Sequence, residues 1–349
     1  MDLTSLSISP ELLRLISEID EFKGSWRAQN TQSPERLQAL RHVATIESIG
    51  SSTRIEGSKL SNSEIEGLLS NVGKTSFLTR DEQEVAGYAE VMETIFENYV
   101  DIPVTENYIK QLHATLLRHS EKDTRHRGEY KKHSNSIEAF DPDGKSLGVV
   151  FETAPPFDTP TQIQDLLVWT RETLEDNAYH PLIVTGVFNV VFLAIHPFQD
   201  GNGRLSRVLV SLLLLKAGYS YIPYASLESI VEKNKDAYYL GLQRTQRTLR
   251  EEKIDWLPWL RFFLDSLKRQ KDHLAEKTNQ LDQYSALPIE SMLIMQYVDN
   301  NHRITISDAE KLITTVTRPT IKNRLSKLVE QGLLVRHGKG RGTWYSKPE

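Results

Sequence analysis

The sequence predicts a mainly α protein that carries one β-hairpin and ends in a small domain of three helices and a second hairpin. Apolar residues recur at helical spacing over most of the first 270 positions. Residues 125–157 interrupt that period with turn dipeptides between β-prone runs. From about residue 286, three helix-like segments precede two short strand-like ones.

Composition sets the bounds. The chain has 349 residues, 39% of them apolar and 26% charged, with a net charge of −5. That length suits two or three domains, and the balance is neither disordered nor broadly basic, so nucleic-acid binding is not implied for the chain as a whole. No cysteine is present, which excludes disulfides and thiolate metal sites. The opening residues show no basic stretch followed by a continuous apolar one, so no signal peptide is expected. The apolar run 182–195 is broken by Thr185, Gly186 and Asn189 and is shorter than the roughly 20 residues a membrane span needs. These features imply a soluble protein of the cytoplasm with no membrane partner.

Taken in order, Ser9 and Pro10 open a first helix, and Ser33-Pro34-Glu35 repeats that start. SNSEIEGLLSN (61–71) begins a short helix. Thr79 and Thr105 are placed as caps of two more, the second with Leu112 and Leu116 on one face. TPTQIQDLLVWTRETLEDN (159–177) and the apolar runs 182–195 and 208–219 extend the helical region to about residue 270. Between them, Asp143-Gly144 and Pro155-Pro156 punctuate β-prone stretches and predict a hairpin projecting from the helical body. The predicted organisation is an N-terminal helical region (1–80), a helical core (81–267), a polar linker helix (268–285) and a C-terminal domain (286–349).

In that last domain, ALPIESMLIMQYVDNN, TISDAEKLI and TRPTIKNRLSKLVEQG read as helices, and LLVRHGKGRGTWYSK as two strands around a Gly/Lys/Arg turn. Helix–helix–helix–hairpin is the winged helix-turn-helix arrangement. It holds ten Lys/Arg against six Asp/Glu, while the remainder is acidic. Thr317-Arg318-Pro319-Thr320 would begin the recognition helix, with Lys322, Arg324 and Lys327 along it and RHGKGRG (336–342) as the wing tip. Two uses fit, DNA binding or contact with a protein, a second copy of the chain included.

The chemistry concentrates between two buried-looking helices, in AIHPFQDGNGRLSRVL (194–209). Pro197 cannot continue the first helix, and the second begins near Asn202–Arg204. Gly201 and Gly203 let the backbone fold into a nest of N–H groups at a helix N-terminus, a ready anion site. Arg204 and Arg207 are three apart and leave one helix face together; two guanidiniums beside such a nest suit a di- or triphosphate. Asp200 adds a hard oxygen ligand for Mg²⁺ bridging phosphates. His196 is the group most able to take a proton near neutral pH. The set implies in-line attack at phosphorus, with His196 deprotonating a hydroxyl.

HPFQDGNGRLSR (196–207) matches in full the signature H-P-F-x-D/E-G-N-G-R-x-x-R of the Fic family, and the chain resembles that family over roughly residues 10–265. The resemblance implies a Fic-type helical bundle and a protein adenylyltransferase. Such an enzyme moves AMP from ATP to a Ser, Thr or Tyr hydroxyl of a target protein, or of itself, and releases pyrophosphate. It implies His196 as general base and Asp200 as ligand of Mg²⁺ or Mn²⁺. Gly201, Asn202 and Gly203 would form the anion hole, with Leu205 and Ser206 in the same phosphate-binding segment. Arg204 would hold the β-phosphate region and Arg207 the γ-phosphate. Gly203 stands where a phosphorylating relative carries a bulkier basic residue, which favours AMP transfer.

Three more segments fit the same resemblance. Ser52-x-x-x-Glu56-Gly57 matches the family's inhibitory motif, whose Glu pairs with the second Arg of the signature. A carboxylate on Arg207 would occupy the place of the γ-phosphate. The hairpin resembles the flap that pairs with an extended target segment, with contact expected at Asn135, Ser136, Ile137 and Glu138. KNKDAYYLGLQRTQ (233–246) resembles the adenine-side segment, so that Tyr238 or Tyr239 would pack on the base and Gln246 offer an amide. The charged cluster RHSEKDTRHRGEYKK (118–132) reads as a solvated turn rather than a nucleic-acid patch. Two rival functions remain: removal of AMP by the same site, or a nucleotide-sensing DNA-binding regulator. The latter would need no His base.

Overall fold

The computed structural model describes the chain apart from residues 2, 29–33, 71–76, 141–145, 284–286, 314–315 and 349, and at 35, 136–140, 146–150, 280–283, 300 and 341 it describes the backbone alone. The expected Asp143-Gly144 turn lies outside the described residues. Two compact units divide the chain. One comprises Met1–Thr31 with Arg41–Lys271, the other Gln32–Leu40 with Asp272–Glu349.

The larger unit is helical. It begins with α1 (Pro10–Ala28) and α2 (Pro34–Ile55, from Arg41 in this unit), then α3 (Asn62–Leu69), α4 (Arg80–Asn98) and α5 (Glu106–Leu116). Local chemistry starts these helices where the sequence places them. Ser9 Oγ accepts from Leu12 N–H at 3.2 Å. Ser61 with Glu64, and Thr79 with Glu82, form reciprocal capping boxes. Thr105 is the exception: it stands at the N-cap with extended backbone, and its hydroxyl makes no capping bond.

The hairpin follows as β1 (Ser136–Phe140) and β2 (Ser146–Glu152). The strands pair antiparallel, Ser136 opposite Glu152 and Ile137 opposite Phe151, with register shifts after Ile137 and after Ala139. Next come α6 (Thr159–Glu175), α7 (Pro181–Ile195), α8 (Asn202–Lys216), α9 (Leu227–Lys233), α10 (Lys235–Thr248) and α11 (Leu257–Gln283, to Lys271 in this unit). α11 is continuous through most of the stretch predicted as a separate linker. Residues 182–195 of α7 are all buried, and so is α8 from Arg204 to Leu215. Each fully buried Val, Leu, Ile or Phe there contributes roughly 2 kcal/mol of transfer free energy. The loop joining these two helices is thus fixed at both ends by the centre of the core. Among the described residues no helix is long and apolar enough to cross a membrane.

The smaller unit contains α12 (Ile289–Asn301), β3 (Ile304–Thr305), α13 (Ile306–Leu312), α14 (Arg318–Glu330), β4 (Val335–His337) and β5 (Trp344–Ser346). Its sheet has the order β3-β5-β4, antiparallel throughout. Met295, Val298, Ile321, Leu325, Leu328 and Leu334 are buried. The two-residue strand β3 has no counterpart in the sequence reading, because two residues are too few to show a period.

Candidate active site

The corner between α7 and α8 is built by backbone accounting. His196 ends α7 in the left-handed region (φ 52°) while its N–H still donates to Phe192 O at 2.9 Å. A non-glycine residue held there costs on the order of 1 kcal/mol and persists only where its surroundings impose it. Asn202 closes the turn: its Oδ1 accepts from Phe198 N–H at 2.9 Å, and its Nδ2 donates to Phe198 O at 2.7 Å. Gly201 (φ 82°) then caps α8. The first N–H groups of a helix have no partners within it, and a helix N-terminus of this kind suits an anion. The Asn202 side chain itself serves the fold; any phosphate contact there falls to backbone.

His196 is half-buried. Its Nδ1 lies 3.3 Å from Leu193 O. Only a protonated Nδ1 can donate to a carbonyl, so Nε2 carries the lone pair. Burial, then the nearby Lys131 cation, pushes the ring down to about 4, against the opposing Glu56 and Asp200 carboxylates. The imidazole is therefore neutral at pH 7, the form a general base requires.

Arg207 is buried (7% exposed side chain) and held from the end of α2. Its Nε donates to Ser52 Oγ at 2.8 Å, and its NH2 to Ser52 O at 3.0 Å and Glu56 Oε1 at 2.8 Å. Its pKa is raised, because the Glu56 carboxylate outweighs burial, which would lower it. Glu56 lies one residue past α2, before Gly57, with 32% of its side chain exposed. Burial would raise its carboxyl, but Arg207 and then Arg204 bring it below the usual carboxylate range. A Cβ built on Gly203 would collide with Glu56 Oε1, so this carboxylate fills the space above that residue.

Arg204 is more deeply buried (2% exposed side chain) and turned to other carboxylates. Its NH1 lies 3.2 Å from Glu84 Oε2 and its NH2 3.2 Å from Asp200 Oδ1. Its Nε makes no hydrogen bond among the described residues. Asp200 also accepts from Gly201 N–H at 2.6 Å, and its Oδ2 faces Lys122 Nζ at 3.0 Å and Arg80 NH2 at 3.8 Å. Burial opposes its ionisation, but Arg204 and Lys122 overcome that and hold Asp200 at about 2. Among the described residues no group of three His, Cys, Asp or Glu side chains stands ready for a metal. Asp200, partly exposed before α8, is a hard oxygen donor of the kind Mg²⁺ takes, since Mg²⁺ binds through one or two carboxylates and completes its shell with water and substrate phosphates; the Asp200 Oδ2 here faces Lys122.

The remaining expected residues divide. Leu205 is buried, and Ser206 donates its hydroxyl to Gly203 O at 2.8 Å, so neither side chain is offered to a phosphate. Tyr238 is buried against Trp259 and Phe262, whereas Tyr239 is 42% exposed, with Lys235 Nζ 5.9 Å from its ring centroid. Gln246 is buried and its Nε2 donates to Val190 O at 3.3 Å. Asn135 Nδ2 donates to Phe198 O at 2.9 Å, which joins the foot of the hairpin to the corner. Ser136, Ile137 and Glu138 lie on β1, where the backbone pairing with β2 is described.

Three polar residues about the corner were missed from sequence. Glu84 of α4 pairs with Arg204. His113 of α5 is buried and stacked on Phe198 at 3.8 Å. It accepts from Gly128 N–H through Nδ1 at 3.0 Å, so Nε2–H donates to Asp200 O at 3.0 Å. Lys131, read as part of a solvated turn, is 4% exposed and donates to Ile195 O at 3.0 Å. None lies in a motif: Glu84 and His113 arrive through the packing of α4 and α5 on α8, and Lys131 through the segment before β1, which bonds the end of α7. A cavity of about 310 Å³ adjoins this region, lined by Phe151, Ala154, Val191, Ala194, Ile195 and Leu249 among others.

Residues 103–214 match the Fic/DOC family. Over 280 residues, 80% of this chain, the sequence is 25% identical to the protein adenylyltransferase Fic of Drosophila mojavensis and covers 50% of it. Over 110 residues it is 28% identical to a probable protein adenylyltransferase of Aquifex aeolicus, covering 32% of this chain and 33% of that one. The chain thus spans about half the length, or less, of these relatives. Two crystal structures share the fold. A Fic family protein from Desulfovibrio desulfuricans has a TM-score of 0.61 at 22% identity, over 98% of this chain and 97% of that one. A Fic domain containing signaling protein from Bacteroides thetaiotaomicron has a TM-score of 0.60 at 24% identity, over 74% of this chain and 95% of that one.

Proposed function

This chain is a Fic family protein, and on that premise we propose that it transfers AMP from ATP to a Ser, Thr or Tyr hydroxyl of a protein, itself included. The carrying observation is His196 at the corner before the N-terminus of α8, its Nδ1 turned to Leu193 O so that Nε2 carries the lone pair, with Arg207 following on the first turns of the same helix. The target oxygen attacks the α-phosphorus while His196 Nε2 takes its proton. The bond from that phosphorus to the bridging oxygen breaks, and pyrophosphate leaves with the electron pair. The α8 N–H groups and Arg207 stabilise the charge on the departing phosphates. Arg204 keeps Asp200 in place from below. Asp200 would hold Mg²⁺ or Mn²⁺, which when bound supplies charge neutralisation on the phosphate oxygens.

In the same reading Glu56 is an inhibitor. It holds the Arg207 donor that a γ-phosphate needs and fills the space over Gly203, so ATP is barred from a productive pose. Incubation with labelled ATP and Mg²⁺ tests this. Weak self-labelling is expected, with a clear increase for Glu56→Gly and none for His196→Ala. A Glu56→Gly protein that binds ATP and never becomes labelled would instead support a nucleotide sensor.

The smaller unit we read as a winged helix that docks on duplex DNA. Lys322 and Lys327 on α14, with Arg336 and Lys339 at β4 and the following turn, are exposed and make no ion pair among the described residues. Arg318 and Arg324, by contrast, are paired with Glu310 and Glu290. A mobility shift on random duplex DNA should appear at low salt, weaken steeply at high salt, and be lost on Lys322→Glu with Lys327→Glu. Unchanged binding by that double variant would remove the reading.

A further inference from the structure

Lys131 lies beneath the corner that carries His196. Its ammonium donates to Ile195 O at 3.0 Å, Asn135 Oδ1 at 2.8 Å and Thr153 Oγ1 at 2.8 Å. Three acceptors match the three protons of an ammonium. Its own N–H donates to Pro197 O at 2.9 Å, and Asn135 Nδ2 donates to Phe198 O at 2.9 Å. The Thr153 hydroxyl in turn donates to Asn135 at 2.6 Å. The carbonyls of residues 195, 197 and 198, on both sides of His196, are therefore held from the foot of the hairpin.

None of the three acceptors is a carboxylate. A buried charge of that kind is expensive unless fully hydrogen-bonded, and burial brings this lysine down to about 8. It keeps its proton at pH 7 because every N–H is taken. The charged groups bearing on the imidazole are Lys131 from the segment before β1, Glu56 from beyond α2 and Asp200 within the loop. Lys131 opposes a second positive charge, and the two carboxylates favour one.

We propose that Lys131 is a positioning residue for His196: a fixed, buried residue whose ammonium and backbone N–H tie the left-handed corner on both sides of the ring to the foot of the hairpin. It aims the lone pair of Nε2, and it links the strand pair expected to receive the target to the base that acts on it. The consequence for catalysis rests on the AMP-transfer reading; the hold on the ring does not.

The test is an NMR pH titration of the His196 ring in the full chain, without nucleotide, for the natural sequence, Lys131→Met and Lys131→Arg. The natural protein and Lys131→Arg should titrate near 4, and Lys131→Met should move toward the ordinary value of about 6.5. In a Glu56→Gly background, Lys131→Met should lower kcat about a hundredfold with KM for ATP little changed, and Lys131→Arg should restore most of it. Thr153→Val removes one acceptor and keeps the cation, and serves if Lys131→Met fails to fold. It should lower kcat with the ring still titrating near 4, and an unchanged kcat would overturn the clamp. A ring that titrates identically with Met or Lys at 131 would overturn the hold of Lys131 on the ring. A shifted titration with no AMP transfer in any variant would sink the activity reading and leave the hold of Lys131 on His196 standing.

Discussion

Arg204 and Arg207 lie one turn apart on the same helix, both buried and both facing carboxylates, yet their surroundings differ in kind. Arg204 is paired with Glu84, whose side chain is 7% exposed, and with Asp200, four residues earlier on the loop before the helix. Arg207 is paired with Glu56, whose side chain is 32% exposed and stands past the end of a helix 151 residues distant in sequence. If Glu56 leaves, Arg207 keeps its two bonds to Ser52 and stays aimed. If Glu84 is lost, the buried Arg204 charge keeps only Asp200 as a carboxylate partner. The Arg207–Glu56 pair thus has a partly exposed member and neutral bonds behind it, whereas the Arg204–Glu84 pair is buried on both sides.

His196→Ala should have the largest effect. With Glu56 already replaced by Gly, it should reduce AMP transfer about a thousandfold in an ATP-labelling assay while leaving both arginine sites intact. Glu56→Gly alone should raise labelling about a hundredfold, the usual worth of one donor restored to a transition-state charge. Its melting temperature should barely move, because the pair is partly exposed. Glu84→Gln should do the reverse: it should cost about 3 kcal/mol in denaturant unfolding by leaving Arg204 underpaired, and should not raise labelling. Equal stability losses for Glu56→Gly and Glu84→Gln would erase the distinction. Ser52→Ala should be mildest, costing about 1 kcal/mol and freeing Arg207 only partly, with a few-fold rise in labelling.

Acidity sharpens the same contrast. The Glu56 carboxyl is lowered, so its pairing with Arg207 holds above that depressed value and is lost as pH falls through it. The ordinary acid range should therefore not relieve inhibition. The acid limb of the Glu56→Gly pH–rate profile should lie below the usual imidazole value, because burial lowers the ring and the Glu56 carboxylate that opposes this is gone.

What could be read from the sequence follows from how local each feature is. The corner was legible because His196, Asp200, Gly201, Gly203 and both arginines fall within twelve residues between two apolar runs, each run long enough to show its burial. Ser52 and Glu56 were legible through a resemblance and a single turn of spacing. Lys131, His113 and Glu84 were not, because their partners come from other elements and burial of a lone Lys or Glu leaves no local signal. The Lys131 cluster looked solvated for that reason. Partners set by packing were equally out of reach of the sequence: Gln246 Nε2 and the Ser206 hydroxyl donate to backbone carbonyls. The helices with capping boxes were predictable from four residues, whereas β3 exists only through its pairing with β5.

Mass spectrometry of the Glu56→Gly protein after incubation with ATP and Mg²⁺, beside the same protein carrying His196→Ala, tests the central claim most directly. The account predicts AMP bound to a hydroxyl side chain in the first and no adduct in the second. An adduct of phosphate instead of AMP, or an AMP adduct that persists without His196, would contradict it.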